Sequence, residues 1–460
     1  MFEFLTSQPL HQPDSASRSI TLRLGVFFDG TGNNLGNSES GAQCAGGSYD
    51  NDPSNIARLY ALYRDQADVP LPVDATQACL AIYVEGIGTR TGQADALFSQ
   101  GTGRGSEGVL ARVEQSVGLI HARMQQLLAH NPDIDVARLE FDLFGFSRGA
   151  VAARHFANDL NKGSRSLLAQ ALPAGSRSLR AGFAWRQQVD LAINFIGLFD
   201  SVAAFVAPLR GDFDPSNARY HGINVGLAPG IAGKVVQLVA RDERRHNFPL
   251  ICTDNDIVLP GVHSDLGGGY RPCVQERLLL HKPVHCLVAQ TLPDEQSTAF
   301  VDAQAGLEQA RAQWQAYGFV LQVAHWSRDQ PYDRHRDLHP EKRVYAALQG
   351  ERQVQGDLSR VYLAIMRELA LREQVPLVEI SPPLAPCEAL QPIAAKLMGF
   401  ALGDTGTAAL SEAEEALLKR NYIHLSAHWN AAKGLNSSAL DAAFLNRPSA
   451  TGVRQRHPNQ

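Results

Sequence analysis

The sequence lacks the features that would place the protein in several familiar classes. Its six cysteines are scattered and form no C-x-x-C pair, so neither a zinc site nor a disulfide scaffold is indicated. No long basic run is present and the net charge is −5, which argues against nucleic-acid binding. With 44% hydrophobic and 19% charged residues, the composition is that of an ordinary soluble globular protein. The scattered cysteines are typical of free thiols in a reducing cytoplasm.

The sequence also lacks a recognisable targeting or membrane segment. Residues 1–19 contain neither a basic n-region nor an apolar h-region, so they do not read as a secretory signal. The most apolar long stretch, residues 191–209, contains Asn194 and Asp200 and is better interpreted as a buried strand followed by a loop. We therefore expect no transmembrane segment, and export only by a route that needs no cleaved signal.

Apolar runs typical of strands alternate with helical patterns through the first 280 residues. This alternation predicts an α/β fold with a mainly parallel sheet flanked by helices and an additional helical region after it. The strand-bearing segments are 20–34, 78–88, 139–154, 189–205 and 256–270. The predicted divisions are a polar lead-in (1–19), an α/β core (20–280), a mainly helical region that packs on the core (281–430), and a flexible tail (431–460).

The clearest motif is Gly145-Phe146-Ser147-Arg148-Gly149, which matches G-x-S-x-G between an apolar run and an alanine-rich run. A serine on a sharp strand-to-helix turn has strained backbone dihedral angles and presents its hydroxyl at the top of the sheet. Gly145 and Gly149 remove side chains that would clash in such a turn. The alternative is a glycine-bracketed turn with an incidental serine.

A serine nucleophile needs a base, and the base needs an orienting carboxylate. In sheet hydrolases the chain order is serine, acid, histidine, and Asp200 and His263 follow Ser147 in that order at the ends of apolar runs. Asp200 is alternatively a helix N-cap, and His263 alternatively a loop histidine bonded to backbone. Asp265 is a rival acid, but it is awkwardly placed two residues from His263, where it would instead order the glycine-rich loop.

An oxyanion hole requires two backbone N–H donors. The residue after the nucleophile, Arg148, is expected to supply one, and the loop after the first strand the other, through Gly30 or Thr31. That loop is alternatively a plain turn, with Asp29 supporting the site through hydrogen bonds. This chemistry requires no metal and no cofactor.

A further charged motif, Asp-Glu-Arg-Arg at 242–245, ends a segment with helical spacing. We expect it to form salt bridges at the edge of the fold rather than to take part in chemistry.

Four ordered motifs over residues 20–270 resemble the α/β-hydrolase domain of type VI secretion lipase effectors of the first family. They are LGVFFDGTGNN, FDLFGFSRGAVAARHF, FIGLFDSVAAF and LPGVHSDLGGGY, and the family's Asp-Glu-Arg-Arg motif also matches at 242–245. The resemblance implies Ser147 as nucleophile, Asp200 as acid and His263 as base. The family's acid usually lies in a Trp-Asp-Thr-Val context, which is Phe-Asp-Ser-Val here.

The resemblance implies a phospholipase A type of activity on membrane phospholipid. Residues 20–280 are then the α/β-hydrolase-like catalytic core, and the region 281–430 is a candidate lid or acyl channel. Such effectors are antibacterial toxins, made in the cytoplasm and delivered into the periplasm of target cells. The implied partners are a type VI spike or adaptor and a cognate immunity protein. Two alternatives remain open on the same fold: a soluble carboxylesterase, and a binding module that has lost catalysis.

Overall fold

The computed structural model describes residues 17–40, 47–93, 95, 108–203, 220, 222–335, 338–432 and 435–460. The strands are β1 Arg18–Phe28, β2 Gln77–Val84, β3 Ile134–Phe146, β4 Leu191–Phe199, β5 Lys234–Ala240, β6 Leu250–Ile251, β7 Asp256–Leu259, β8 Cys273–Leu279, β9 Val284–Ala289, β10 Val320–Asp329, β11 Glu341–Gln355 and β12 Arg456–His457. The helices are α1 Leu35–Ser40, α2 Asn55–Leu62, α3 Val109–His130, α4 Arg148–Leu160, α5 Leu167–Ala171, α6 His263–Gly267, α7 Thr298–Gln315, α8 Leu358–Arg372, α9 Gln391–Ala401 and α10 Glu412–Asn421.

A six-stranded parallel sheet in the order β2-β1-β3-β4-β5-β7 forms the centre of the fold. Its strands are nearly continuous runs of apolar residues because both faces of the sheet are buried. The predicted fold class is therefore confirmed. One strand differs from the sequence analysis: β5 lies in a segment that was expected to be helical.

Helices cover both faces of this sheet. One apolar cluster includes residues of α3 and α4, such as Ile120 and Phe156, packed against one face. A second cluster includes α2, α8 and α9 on the other face, where Met366 lies against the strands. Because parallel strands end together, the loops that follow β1, β3, β4 and β7 meet at one edge.

In its described residues, the region 281–430 contains four helices, α7 to α10, but it also contains three strands that the sequence analysis did not predict. Together with β8, it builds an antiparallel sheet in which β11 pairs with β10 on one side and with β8 and β9 on the other. A small apolar core, including Leu307 and Phe319, lies beneath α7. Strand β10 is largely exposed to solvent and mixes apolar with polar residues, so the sequence gives only a weak strand signal there.

The end of the chain also differs from the expected flexible tail. Strand β12 pairs in parallel with β6, and the Asn459 side chain exchanges two hydrogen bonds with the backbone of Leu227. Of the predicted N-terminal lead-in, residues 1–16 lie outside the described part of the chain, and Arg18 already belongs to β1. No helix in the described ranges is long and apolar enough to cross a membrane.

Candidate active site

Ser147 lies on a sharp turn between β3 and α4. Its φ of 58° and ψ of −125° put it in a region that non-glycine residues rarely occupy. A Cβ on Gly145 would lie 2.5 Å from the Cα of Ala150, and one on Gly149 would lie 2.3 Å from the carbonyl oxygens of Phe28 and Asp29. The two glycines therefore let the turn close and let α4 begin directly against the end of β1.

Asp200 and His263 meet beside this turn. The Ser147 N–H donates to the Phe199 carbonyl at 3.1 Å, which ties the serine to the end of β4 one residue before Asp200. His263, the first residue of α6, brings Nδ1 to 2.5 Å from Asp200 Oδ2. All three side chains are buried, with Ser147 5% exposed. The structure thus places the Asp200–His263 pair beside the turn that carries Ser147.

Asp200 accepts hydrogen bonds on every side of its carboxylate. Oδ1 accepts from the Ala240 N–H at 3.0 Å and from Arg454 Nη1 at 2.6 Å, and Oδ2 accepts from Arg454 Nη2 at 2.8 Å as well as facing His263. Burial opposes ionisation of Asp200, but the charge of Arg454 and these hydrogen bonds outweigh it and hold its pKa well below the ordinary value. The acid is therefore a carboxylate throughout the physiological range.

His263 lies between two aromatic rings. Its ring centroid is 4.6 Å from that of Phe146 and 4.9 Å from that of Phe248. Burial lowers the pKa of His263; Asp200 opposes this shift and the nearby Arg245 adds to it. The imidazole is therefore neutral at neutral pH, as a general base must be.

Within the Asp-Glu-Arg-Arg motif, Glu243 is buried beside His263, whereas Arg244 is exposed and the salt bridge of the motif is formed between Glu243 and Arg245. Glu243 is 1% exposed; it pairs with Arg245 at 2.7 Å and accepts from the His263 N–H at 3.3 Å. Burial opposes ionisation of Glu243, but Arg245 outweighs it and lowers the pKa to about 2. The Arg245 guanidinium also lies 3.3 Å above the Phe248 ring. The motif therefore positions the backbone and the aromatic wall of the histidine.

The predicted oxyanion loop follows β1 and is held by Asp29. This buried carboxylate accepts from Ser54 Oγ at 2.6 Å, from the Tyr83 hydroxyl at 2.6 Å and from the Gly30 N–H at 2.7 Å. Burial raises the pKa of Asp29 to about 6 despite these three bonds. The Gly30 N–H is thus directed at Asp29, whereas Thr31 Oγ1 is buried without a hydrogen-bond partner among the described residues.

Asp265, the rival acid of the sequence analysis, contacts His424 rather than His263. Its Oδ1 lies 2.6 Å from His424 Nδ1, and its Oδ2 accepts from the N–H groups of Val262 at 2.9 Å and His424 at 3.2 Å. The His424 ring stacks on Tyr270 with 3.7 Å between centroids. Asp265 therefore orders the loop that carries His263 and does not contact the His263 ring.

Sequence reasoning missed several residues around this site, above all Arg454 and Phe248. Neither lies in a recognisable pattern, and Arg454 lies in a polar, proline-containing stretch whose composition is typical of disorder. Within the described ranges, no group of three or more metal-ligating side chains converges. A cavity of about 660 Å³ lies between α7, β11 and Trp429, and none of Ser147, Asp200 and His263 lines it.

The strand order, the strained serine turn and the carboxylate–imidazole pair at the carboxyl edge of a parallel sheet define an α/β-hydrolase-like protein.

Residues 23–164, which include Ser147, match the family of T6SS phospholipase effectors, Tle1-like, catalytic domain. A solved structure of the Tle1 effector bound to the VgrG spike from the type 6 secretion system is 25% identical, covers 99% of this chain and 98% of that chain, and superposes with a TM-score of 0.73. The resemblance to type VI secretion phospholipase effectors is thus confirmed.

A crystal structure of an uncharacterised protein from Pseudomonas aeruginosa is 19% identical over 87% of this chain and 52% of that chain, with a TM-score of 0.38. No curated protein matches the sequence.

Proposed function

We propose that the protein is a serine phospholipase A that hydrolyses carboxylic ester bonds of membrane phospholipids. The observation that carries this proposal is the 2.5 Å contact between His263 and Asp200 beside the strained turn of Ser147. The similarity to Tle1-like phospholipase effectors supports a lipid as the substrate.

In the proposed reaction, Ser147 Oγ attacks the ester carbonyl carbon while His263 Nε2 takes its proton. Asp200 accepts from Nδ1–H, which fixes the tautomer and stabilises the imidazolium that forms. The tetrahedral intermediate collapses, the ester C–O bond breaks, and the imidazolium returns its proton to the departing lysophospholipid oxygen. Water, deprotonated by His263, then attacks the acyl-serine, and the fatty acid leaves as Ser147 regains its proton.

The developing oxyanion is proposed to accept hydrogen bonds from two elements. Arg148 N–H lies at the N-terminus of α4, where the helix dipole favours negative charge. The Gly30 N–H already donates to Asp29, so the proposal assigns the second donor to Thr31, whose buried hydroxyl has no partner in the described chain. The supporting role of Asp29 is then to hold this loop in place.

The biological setting is proposed from the same similarity. We infer that the protein is an antibacterial type VI effector made in a bacterial cytoplasm and carried into the periplasm of a target cell. The related effector is bound to the VgrG spike, so a spike protein is the expected carrier. A cognate immunity protein in the producing cell is the second expected partner.

The test is fatty-acid release from phosphatidylethanolamine/phosphatidylglycerol vesicles by the wild type and by Ser147→Ala, with both proteins shown to be folded. The proposal predicts release by the wild type and loss of release in the variant. Hydrolysis of a short soluble ester without release from vesicles would favour the soluble carboxylesterase. Inactivity on both substrates, with no labelling by a fluorophosphonate, would favour the binding module.

A further inference from the structure

Near the end of the described chain, Arg454 lies at the candidate active site. Arg454 lies 9% exposed between the buried Asp200 carboxylate and the carbonyl of Phe248, to which its Nε donates at 2.6 Å. The next residues are anchored to the backbone of β6, since the Leu250 N–H donates to Gln455 O and the Cys252 N–H donates to His457 O, each at 2.9 Å. This anchoring fixes the position of the Arg454 guanidinium.

The Arg454–Asp200 contact is bidentate, with Nη1 on Oδ1 at 2.6 Å and Nη2 on Oδ2 at 2.8 Å. A planar fork of this kind fixes the plane of a carboxylate as well as its position. The plane matters here because Oδ2 must also face His263 Nδ1. The guanidinium thus determines how the acid presents itself to the base.

We propose that Arg454 is a positioning residue for the Asp200–His263 pair, so that the acid–base pair is assembled only when the end of the chain is docked on β6. This inference rests on the proposed serine-hydrolase function. Arg454 holds no substrate and transfers no proton; it acts through Asp200.

The charges around His263 allow this role to be separated from a purely structural one. The charged groups near the His263 ring are Asp200, which directly follows β4, and Glu243 and Arg245, which follow β5. Arg454 lies on the other side of the Asp200 carboxylate. Two cations and two carboxylates therefore surround the imidazole. Loss of the Arg454 charge leaves an excess of negative charge, which favours the imidazolium and raises the pKa of the base.

The experiment compares Arg454→Gln, which removes both the charge and the fork, with Arg454→Lys, which keeps the charge alone. Arg456→Gln is the matched control, because Arg456 is an exposed arginine two residues further along the chain, in β12. Each variant of the full chain is assayed for kcat and KM on a short soluble ester from pH 4 to 9, with and without millimolar guanidinium chloride.

Arg454→Gln is expected to lower kcat by about 10- to 100-fold with little change in KM, because the acid loses its fixed orientation. The acid limb of its profile of kcat/KM against pH should move to higher pH, and added guanidinium should restore part of kcat. Arg454→Lys should also have a lower kcat, but its acid limb should stay at the wild-type pH. A wild-type kcat in either variant overturns the proposal. It is also overturned if the kcat of Arg454→Gln falls only in step with its melting temperature, with no shift of the acid limb and no rescue by guanidinium.

A second readout separates this inference from the proposed function. The pKa of His263 can be measured by ¹⁵N NMR without any substrate. The wild type is compared with Arg454→Gln or, if that variant does not fold, with Arg454→Lys. In Arg454→Gln, a His263 pKa above that of the wild type supports the role of Arg454. In Arg454→Lys, an unchanged His263 pKa together with a weakened Nδ1–H signal supports it. Both results count even if no ester is cleaved. Identical spectra and pKa values overturn it. Absence of ester cleavage and of fluorophosphonate labelling in the wild type overturns only the proposed function.

Discussion

Replacement of Gly149 by alanine tests whether the serine turn and the oxyanion loop act as one rigid unit. The new Cβ would lie 2.3 Å from the carbonyl oxygens of both Phe28 and Asp29, where ordinary contacts begin at 3.4 Å. Both contacts are to backbone, so no side-chain rotation relieves them. The start of α4 must therefore move away from the end of β1 by about 1 Å, and misplacement of that size costs about 10²-fold in rate.

The same substitution is expected to lower the free energy of unfolding by about 1–3 kcal/mol, the usual cost of overpacking. The assay is the initial rate of fatty-acid release from vesicles, together with thermal unfolding followed by circular dichroism. Gly118→Ala is the matched control: Gly118 lies within α3, and nothing lies within 4 Å of its added Cβ. That variant should keep the wild-type rate and gain up to about 1 kcal/mol of stability, since alanine favours helix over glycine.

A folded Gly149→Ala variant whose rate is within about threefold of the wild type would refute the reasoning, because a 1 Å displacement between nucleophile and donors would then carry no cost. Equal loss of rate in Gly118→Ala would refute it too, since it would show that any glycine substitution has this effect.

The remaining predictions concern protons and donors at the same site. Because burial lowers the pKa of His263 below the ordinary 6.5, kcat/KM on a soluble ester should rise with pH to a plateau with its midpoint below 6.5; a midpoint above 6.5 would contradict this. Asp200→Asn should lower kcat by up to about 10⁴-fold, as loss of the orienting carboxylate does in serine triads. Asp265→Asn should mainly lower the melting temperature, and a comparable loss of kcat would make Asp265 the acid instead. Thr31→Val should lower kcat by up to about 10²-fold with KM unchanged if its hydroxyl faces the oxyanion, and an unchanged kcat would remove Thr31 Oγ1 from that role.

The parallel sheet and the position of the Asp200–His263 pair beside the Ser147 turn were predictable, because each has a local signal in the sequence. Strands that are buried on both faces consist of continuous runs of apolar residues, which are visible in the sequence. The turn at Ser147 requires glycine at 145 and 149, because a Cβ at either position would clash with neighbouring backbone. Since parallel strands end at one edge, the placement of Asp200 and His263 after apolar runs brought them toward Ser147 without any further information.

The remainder depends on contacts between residues that are far apart in sequence and carry no pattern. Arg454 is 254 positions from Asp200, and its surroundings read as a disordered tail because proline, glycine and polar residues dominate them. The strand β5 is short and lies next to charged residues, so its period was ambiguous between strand and helix. The antiparallel sheet after residue 280 has largely polar outer faces, which weaken the alternation that identifies a strand.

Covalent titration of Ser147 during lipid turnover would show whether this serine is the nucleophile. The wild type would be treated with increasing amounts of a fluorophosphonate, the labelled peptide quantified by mass spectrometry, and fatty-acid release from phosphatidylethanolamine/phosphatidylglycerol vesicles measured on the same samples. We expect a single labelled site at Ser147 and a loss of activity in direct proportion to the fraction of Ser147 that is labelled. Activity that persists after Ser147 is fully labelled would show that this serine is not the nucleophile.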